Sequence, residues 1–200
     1  LIALAYPTKE HVAYLGQVAG GRLAGQAAQE AIFYRNADSG QLAEGALFEL
    51  PDVVFPFLSQ GYLRLGEGGR SGAVVLNASD WGGHHHHDSL DLYMWKDGHE
   101  LLSDLGYLWD HPDKKETYRT GAHNLVVIDG AEQERKGRGG SFHLYAVTPQ
   151  VKVMEASSAA YSQATEYRRT CVQVDHGEYG AYLVDIFRAG GGRKREYTFH

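Results

Sequence analysis

Phe142-His143-Leu144-Tyr145-Ala146-Val147, followed after a short break by Val151-Lys152-Val153-Met154, reads as two successive β-strands. Such runs of aromatic and β-branched residues suit a half-buried pleated surface. Working outward, the same signature recurs at 61–65, 73–77, 89–95, 125–129, 169–175 and 181–188, with Gly, Asp and Asn clusters between the runs. About eight strands at roughly 8 to 20 residue spacing predict a mainly β fold, an antiparallel sandwich or jelly roll rather than a parallel α/β sheet. The 25 glycines in 200 residues agree with that many turns. There is no internal repeat.

Upstream of Pro51 the pattern is different. Thr8 follows Pro7 as an N-cap, and Val12, Leu15, Ala19, Leu23, Ala27 and Ile32 recur near helical spacing. A helix over 8–35 is predicted, with turn chemistry at 36–41 marking a boundary, so that 1–50 and 51–200 are expected as separate units. A lone helix cannot bury its apolar stripe. The chain opens on Leu1 without a charged leader and ends on Tyr197-Thr198-Phe199-His200, which reads as the middle of a strand; both ends are expected to be cuts in a longer polypeptide.

A formal charge of −6 and the absence of a run of about 18 apolar residues disfavour nucleic acid as partner and a helical membrane span. Cys171 is the only cysteine, so no internal disulfide can form; in its strand-like run it is expected to be a buried, inert thiol.

The chemistry concentrates in Trp81-Gly82-Gly83-His84-His85-His86-His87-Asp88-Ser89-Leu90-Asp91-Leu92-Tyr93-Met94-Trp95. If this stretch is extended, His84, His86 and Asp88 share one face with Leu90, Leu92 and Met94, which directs that face to the core. Buried imidazoles are costly unless hydrogen-bonded or bound to metal. A carboxylate and another imidazole from neighbouring strands would complete an N/O shell suited to zinc. Asp104, in a strand end that closes at Gly106, and His123, just before the run 125–129, are the candidates. A solvated His-rich loop is the bland alternative.

The order of these residues resembles the C-terminal domain of heparinase II/III-like polysaccharide lyases. The resemblance rests on His84-x-His86-x-Asp88-x-Leu90, Asp97-Gly98, Leu101-Leu102-x-Asp104-x-Gly106, Tyr118-Arg119-x-x-Ala122-His123-Asn124-x-Val126-x-x-Asp129-Gly130, Gln133, and Asp185-Ile186-Phe187-Arg188. It implies a supersandwich-like antiparallel β-sandwich at 51–200, preceded at 1–50 by the α-helical remnant of a helical toroid. It also implies β-elimination on uronate-containing glycans, with His84 catalytic and His86, Asp104 and His123 holding a structural zinc ion (Zn2+). Tyr118 and Arg119, beside His123, are expected to contact an acidic polysaccharide or oligosaccharide. The missing helical domain would supply the remaining acid and base, so this fragment alone is expected to be inactive. A bacterial periplasmic or secreted location follows from the family alone.

Three other readings stand beside it. A metal-binding cupin is suggested by His84-x-His86 with Asp91 and Gly98 downstream, although the second cupin motif is absent. A non-catalytic carbohydrate-binding sandwich would need no toroid. A zinc hydrolase would need a general base at usable spacing, and no Glu presents itself.

Overall fold

The computed structural model describes residues 51–65, 72–80, 85–106, 108–135, 137 and 139–200. The predicted helix over 8–35 and the boundary at 36–41 lie outside the described residues, as does His84.

The described chain is antiparallel β throughout. A five-stranded meander is formed by β1 (Val53–Phe55), β2 (Gln60–Leu65), β3 (Gly72–Asn77), β4 (Asp91–Lys96) and β5 (His99–Leu102), paired in chain order. A four-stranded sheet follows the order β10-β9-β8-β7, from β7 (Ser141–Val147), β8 (Val151–Ser157), β9 (Ala164–Asp175) and β10 (Ala181–Gly191). A short ribbon pairs β6 (Val126–Ile128) with β11 (Arg195–Tyr197).

The two larger sheets bury one face each, as alternation requires. Leu63, Val74, Leu76 and Leu92 from the first meet Met154, Ala156, Tyr167 and Cys171 from the second, with Val126 and Ile128 of β6 in the same cluster. The Tyr145 hydroxyl donates to the Tyr62 carbonyl at 2.8 Å, and the Lys152 ammonium to the Arg64 carbonyl at 2.7 Å, tying the sheets at one end. Gly61 allows the close approach: a Cβ there would sit 2.7 Å from the Phe142 ring and 3.1 Å from the Met154 sulfur. Cys171 is wholly buried, and burial pushes its thiol up to about 12, as expected of an inert core residue.

Most predicted strands are present with shifted ends; β1 is an addition. It is three residues long and exists because β2 offers an edge to pair with, a signal too short for periodicity to carry. The final strand ends at Tyr197 rather than continuing through His200. The predicted strand 89–95 starts at Asp91, and the stretch before it is not extended: Leu90 adopts φ 73° in a turn at 88–91, closed by the Asp91 N–H on the Asp88 carbonyl at 2.8 Å. Simple alternation therefore does not hold before Asp91. His85 and His86 are both buried, although the even residues Leu90 and Leu92 do enter the core. No helix among the described residues is long and apolar enough to cross a membrane.

Candidate metal centre

Three chain segments converge at one edge of the sandwich: the irregular lead into β4, the loop after β5, and the turn before β6. His86 comes from the first. The His87 N–H donates to the Tyr118 carbonyl at 3.0 Å and the Leu90 N–H to the Asn77 carbonyl at 2.7 Å, which pins this lead on both sides. A left-handed backbone is unfavourable for leucine. Complete burial of the Leu90 side chain offsets that cost and holds the turn.

Asp104 comes from the second segment, two residues past β5. The N–H of Gly106, itself at φ 64°, donates to Asp104 Oδ1 and leaves Oδ2 facing inward. His123, wholly buried, follows two consecutive 3-10 turns, Glu116–Tyr118 and Thr120–Ala122. Its Nδ1–H donates to the Arg119 carbonyl at 2.8 Å, an assignment that fixes the tautomer and leaves Nε2 as the ligand atom.

His86 Nδ1 lies 3.1 Å from His123 Nε2, and Asp104 Oδ2 lies 3.4 Å from each of them. Around zinc with bonds of about 2.0–2.1 Å, neighbouring tetrahedral ligands are about 3.3–3.4 Å apart. The triangle therefore has the size of one face of such a shell, and its donors, two imidazoles and a carboxylate, are the types zinc prefers. The residues fit the ion.

The electrostatics match. Burial works against ionisation of Asp104, but hydrogen bonds from His123, His86 and the Gly106 N–H prevail and hold its carboxyl well below the ordinary 3.8. Burial likewise opposes protonation of His123, and the hydrogen bond to Asp104 with the charges of Asp91 and Asp88 overcomes it, raising the imidazole above 6.5. Asp91, wholly buried, is pushed up to about 7, first by desolvation. The site is an electronegative pocket that favours positive charge.

A second layer holds the ligands. Asn124 sits beside His123: its backbone N–H donates to Asp91 Oδ1 at 2.8 Å, and its Nδ2 donates to the carbonyls of Leu92 at 3.2 Å and Ser103 at 2.9 Å. One residue thus ties the turn that carries His123 to β4 and to the loop that carries Asp104. Arg169, wholly buried on β9, donates to the carbonyls of Leu90 and Asn124, while its other nitrogens reach Asp185 at 2.8 and 2.7 Å. Gln133 brackets Ser89, accepting its N–H at 2.7 Å and donating to its carbonyl at 2.9 Å.

Of the residues singled out in the sequence, His86, Asp104 and His123 come together. Tyr118 packs its ring edge-on against His86 at 4.6 Å between centroids. Arg119 points elsewhere: its exposed guanidinium meets Glu116 at 3.1 Å and Glu132 at 3.0 Å. His84 lies outside the described residues. Sequence reasoning did not find Arg169 or the bridging role of Asn124. The usable signal was a charged residue inside a predicted core strand.

Residues 51–200 match the family model described as Heparinase II/III-like, C-terminal. Among solved structures, the chain resembles the heparan sulfate lyase HepC from Pedobacter heparinus, with 16% identity, a TM-score of 0.60, and coverage of 92% of this chain and 28% of that one. It resembles a heparinase III with 19% identity, a TM-score of 0.63, and coverage of 93% and 28%. Another heparinase III aligns at 14% identity and a TM-score of 0.61, with coverage of 95% and 28%. The chain therefore spans 28% of the length of these structures, and at such identities the likeness is one of fold. Curated proteins yield no match. The match over three quarters of its length shows that this chain belongs to the heparinase II/III-like family and carries that family's C-terminal β-sandwich domain.

Proposed function

We infer that the chain is part of a polysaccharide lyase that cleaves uronate-containing glycans by β-elimination, contributing a structural zinc site and a catalytic histidine. The observation that carries this reading is the convergence of His86, Asp104 and His123 on one point with zinc-like separations. Bound there, zinc would cross-link three chain segments that share no strand ladder and add positive charge at the sandwich edge.

β-Elimination needs a base near carbon 5 of the uronate, an acid toward the oxygen leaving carbon 4, and neutralisation of the carboxylate so that negative charge can develop. In this reading His84, two residues before a zinc ligand, meets the uronate as base or carboxylate partner. Tyr118, packed on His86, would contact the sugar beside it. Arg119 would have to exchange Glu116 or Glu132 for a substrate carboxylate, which a solvent-exposed pair permits at small cost. The remaining acid and base would come from a helical domain of the same polypeptide, so the isolated chain is expected to show no turnover. A periplasmic or secreted setting belongs to the same proposal.

The test is the metal content of the purified, tag-free chain by elemental mass spectrometry after dialysis against a weak chelator. Bound zinc near one per chain supports the reading. A metal-free chain would reduce the centre to a hydrogen-bonded imidazole cluster and remove the main support for the function.

A further inference from the structure

Asp88 and Asp91 stand outside the zinc triangle and are not ligands in the reading above. Asp91 is wholly buried; its Oδ1 accepts the backbone N–H groups of Leu92 and Asn124 at 2.8 Å each. Its Oδ2 has no hydrogen-bond donor among the described residues. Asp88 is also buried, and its Oδ2 accepts Asn77 Nδ2 at 3.0 Å. Among the described residues its Oδ1 lacks a hydrogen bond and meets the His85 ring nitrogen at 3.5 Å.

Burying one carboxylate oxygen without a donor is unfavourable, and two side by side are worse, because each anion also repels the other. The fold nevertheless forces them together. The turn closed by the Asp91 N–H on the Asp88 carbonyl, with Leu90 in the left-handed region, sets both carboxylates on the site. Ligand atoms of Asp88, Asp91, Asp104 and His123 all lie within 4.8 Å of one another. This set shares Asp104 and His123 with the imidazole-rich one but excludes His86.

We propose that Asp88, Asp91 and Asp104 form a second, oxygen-rich cation position beside the zinc triangle, taking a hard divalent ion of the manganese or calcium class, with Asp104 shared between the two. His123 cannot serve both ions. Its Nδ1 is engaged by the Arg119 carbonyl, and the single lone pair on Nε2 binds one ion at a time. The second position therefore rests on carboxylate oxygens, which select hard cations over the borderline-soft zinc. An ion there supplies a positive partner to two buried carboxylates that the described residues leave short of donors.

The whole chain, stripped with a chelator and reloaded with one equivalent of zinc, is titrated with Mn2+, following free Mn2+ by electron paramagnetic resonance and zinc by elemental mass spectrometry. One Mn2+ taken up per chain with zinc retained is the expected result. Asp91→Asn keeps an amide oxygen for both backbone donors but removes the charge; it should weaken Mn2+ by about tenfold or more and leave zinc in place. The proposal is overturned if Mn2+ stays free up to the order of 1 mM, if it enters only as zinc leaves in equal amount, or if Asp91→Asn binds it as tightly as the parent chain. Should Asp91→Asn lose its circular dichroism spectrum, Asp88→Asn is read by the same criteria. A chain that refuses zinc yet binds Mn2+ overturns the zinc assignment and supports this one.

Discussion

Asp104 and His123 are opposite cases of one electrostatic rule, and their pH behaviour follows from the sign of each shift. Asp104 has a folded pKa depressed below 3.8, so its contribution to stability is present above that value and is lost as pH falls through the folded value. His123 has a folded pKa raised above 6.5, so its contribution is present below 6.5 and is lost as pH rises through the folded value. The metal-free pair is thus most useful between these limits. Zinc requires neutral imidazole and reverses the upper limit. The difference in melting temperature between zinc-loaded and stripped chain should therefore widen as pH is raised from about 6 to about 8; paired thermal melts with and without chelator check this, and a constant difference would count against zinc on these nitrogens. At the same scale, His86→Ala, Asp104→Ala and His123→Ala should each lose zinc and melt earlier, the linkage being about 2.7 kcal/mol for an ion present at 100 times its dissociation constant. In a full-length parent, His84→Ala should instead keep the zinc and the melting temperature while losing turnover. Zinc released by His84→Ala would show that the paired imidazoles have been assigned in the wrong order.

Elements meet at this site through hydrogen bonds rather than apolar packing, and Asn124 is where they cross. Its side chain joins Leu92 of β4 to Ser103 beyond β5 and, through the backbone, Asp91. Asn124→Ala leaves the buried Leu92 carbonyl and the part-buried Ser103 carbonyl short of a donor and should cost about 1–3 kcal/mol for each that water cannot reach. Zinc affinity should fall about 10- to 100-fold with it, as for the loss of an outer-shell partner, and competition with a chromophoric chelator measures that. Arg169→Met should be costlier, about 1–3 kcal/mol by denaturant unfolding for each of the Leu90 and Asn124 carbonyls left without a donor, in addition to the loss of the bidentate pair with half-buried Asp185. Gly61→Ala probes the sheet-to-sheet spacing alone: its methyl would press on the Phe142 ring, for an expected loss of about 1–3 kcal/mol with zinc content unchanged.

At the scale of the whole molecule, the outward face of the four-stranded sheet exposes Leu144, Val151, Tyr182, Val184 and Ile186, and no described residue covers them. A contiguous apolar surface of this kind should bind the dye ANS in the folded chain, before any thermal transition; a dye-silent native state would mean that this face is covered in solution. Much of the architecture was legible beforehand. The runs at 142–147 and 151–154 form a hairpin, the chain from Pro51 on is antiparallel β, and Cys171 is buried, because alternation and β-branched composition are local properties that burial on one face enforces. The trio His86, Asp104 and His123 was also legible, through an ordered set of residues. What the local pattern could not contain is the turn at Leu90, which breaks alternation just after His86 and brings Asp88 and Asp91 against Asp104 and His123. Nor could it show that Arg119 is spent on two glutamates, or that Arg169 reaches from β9 to the Leu90 and Asn124 carbonyls. The amino-acid sequence by itself determined the strands and the class of fold, since each depends on neighbours within a few residues. Only the tertiary structure decided which buried charges share a pocket, because carboxylates and imidazoles separated by tens of residues acquire their energies from one another only after the sheets have closed.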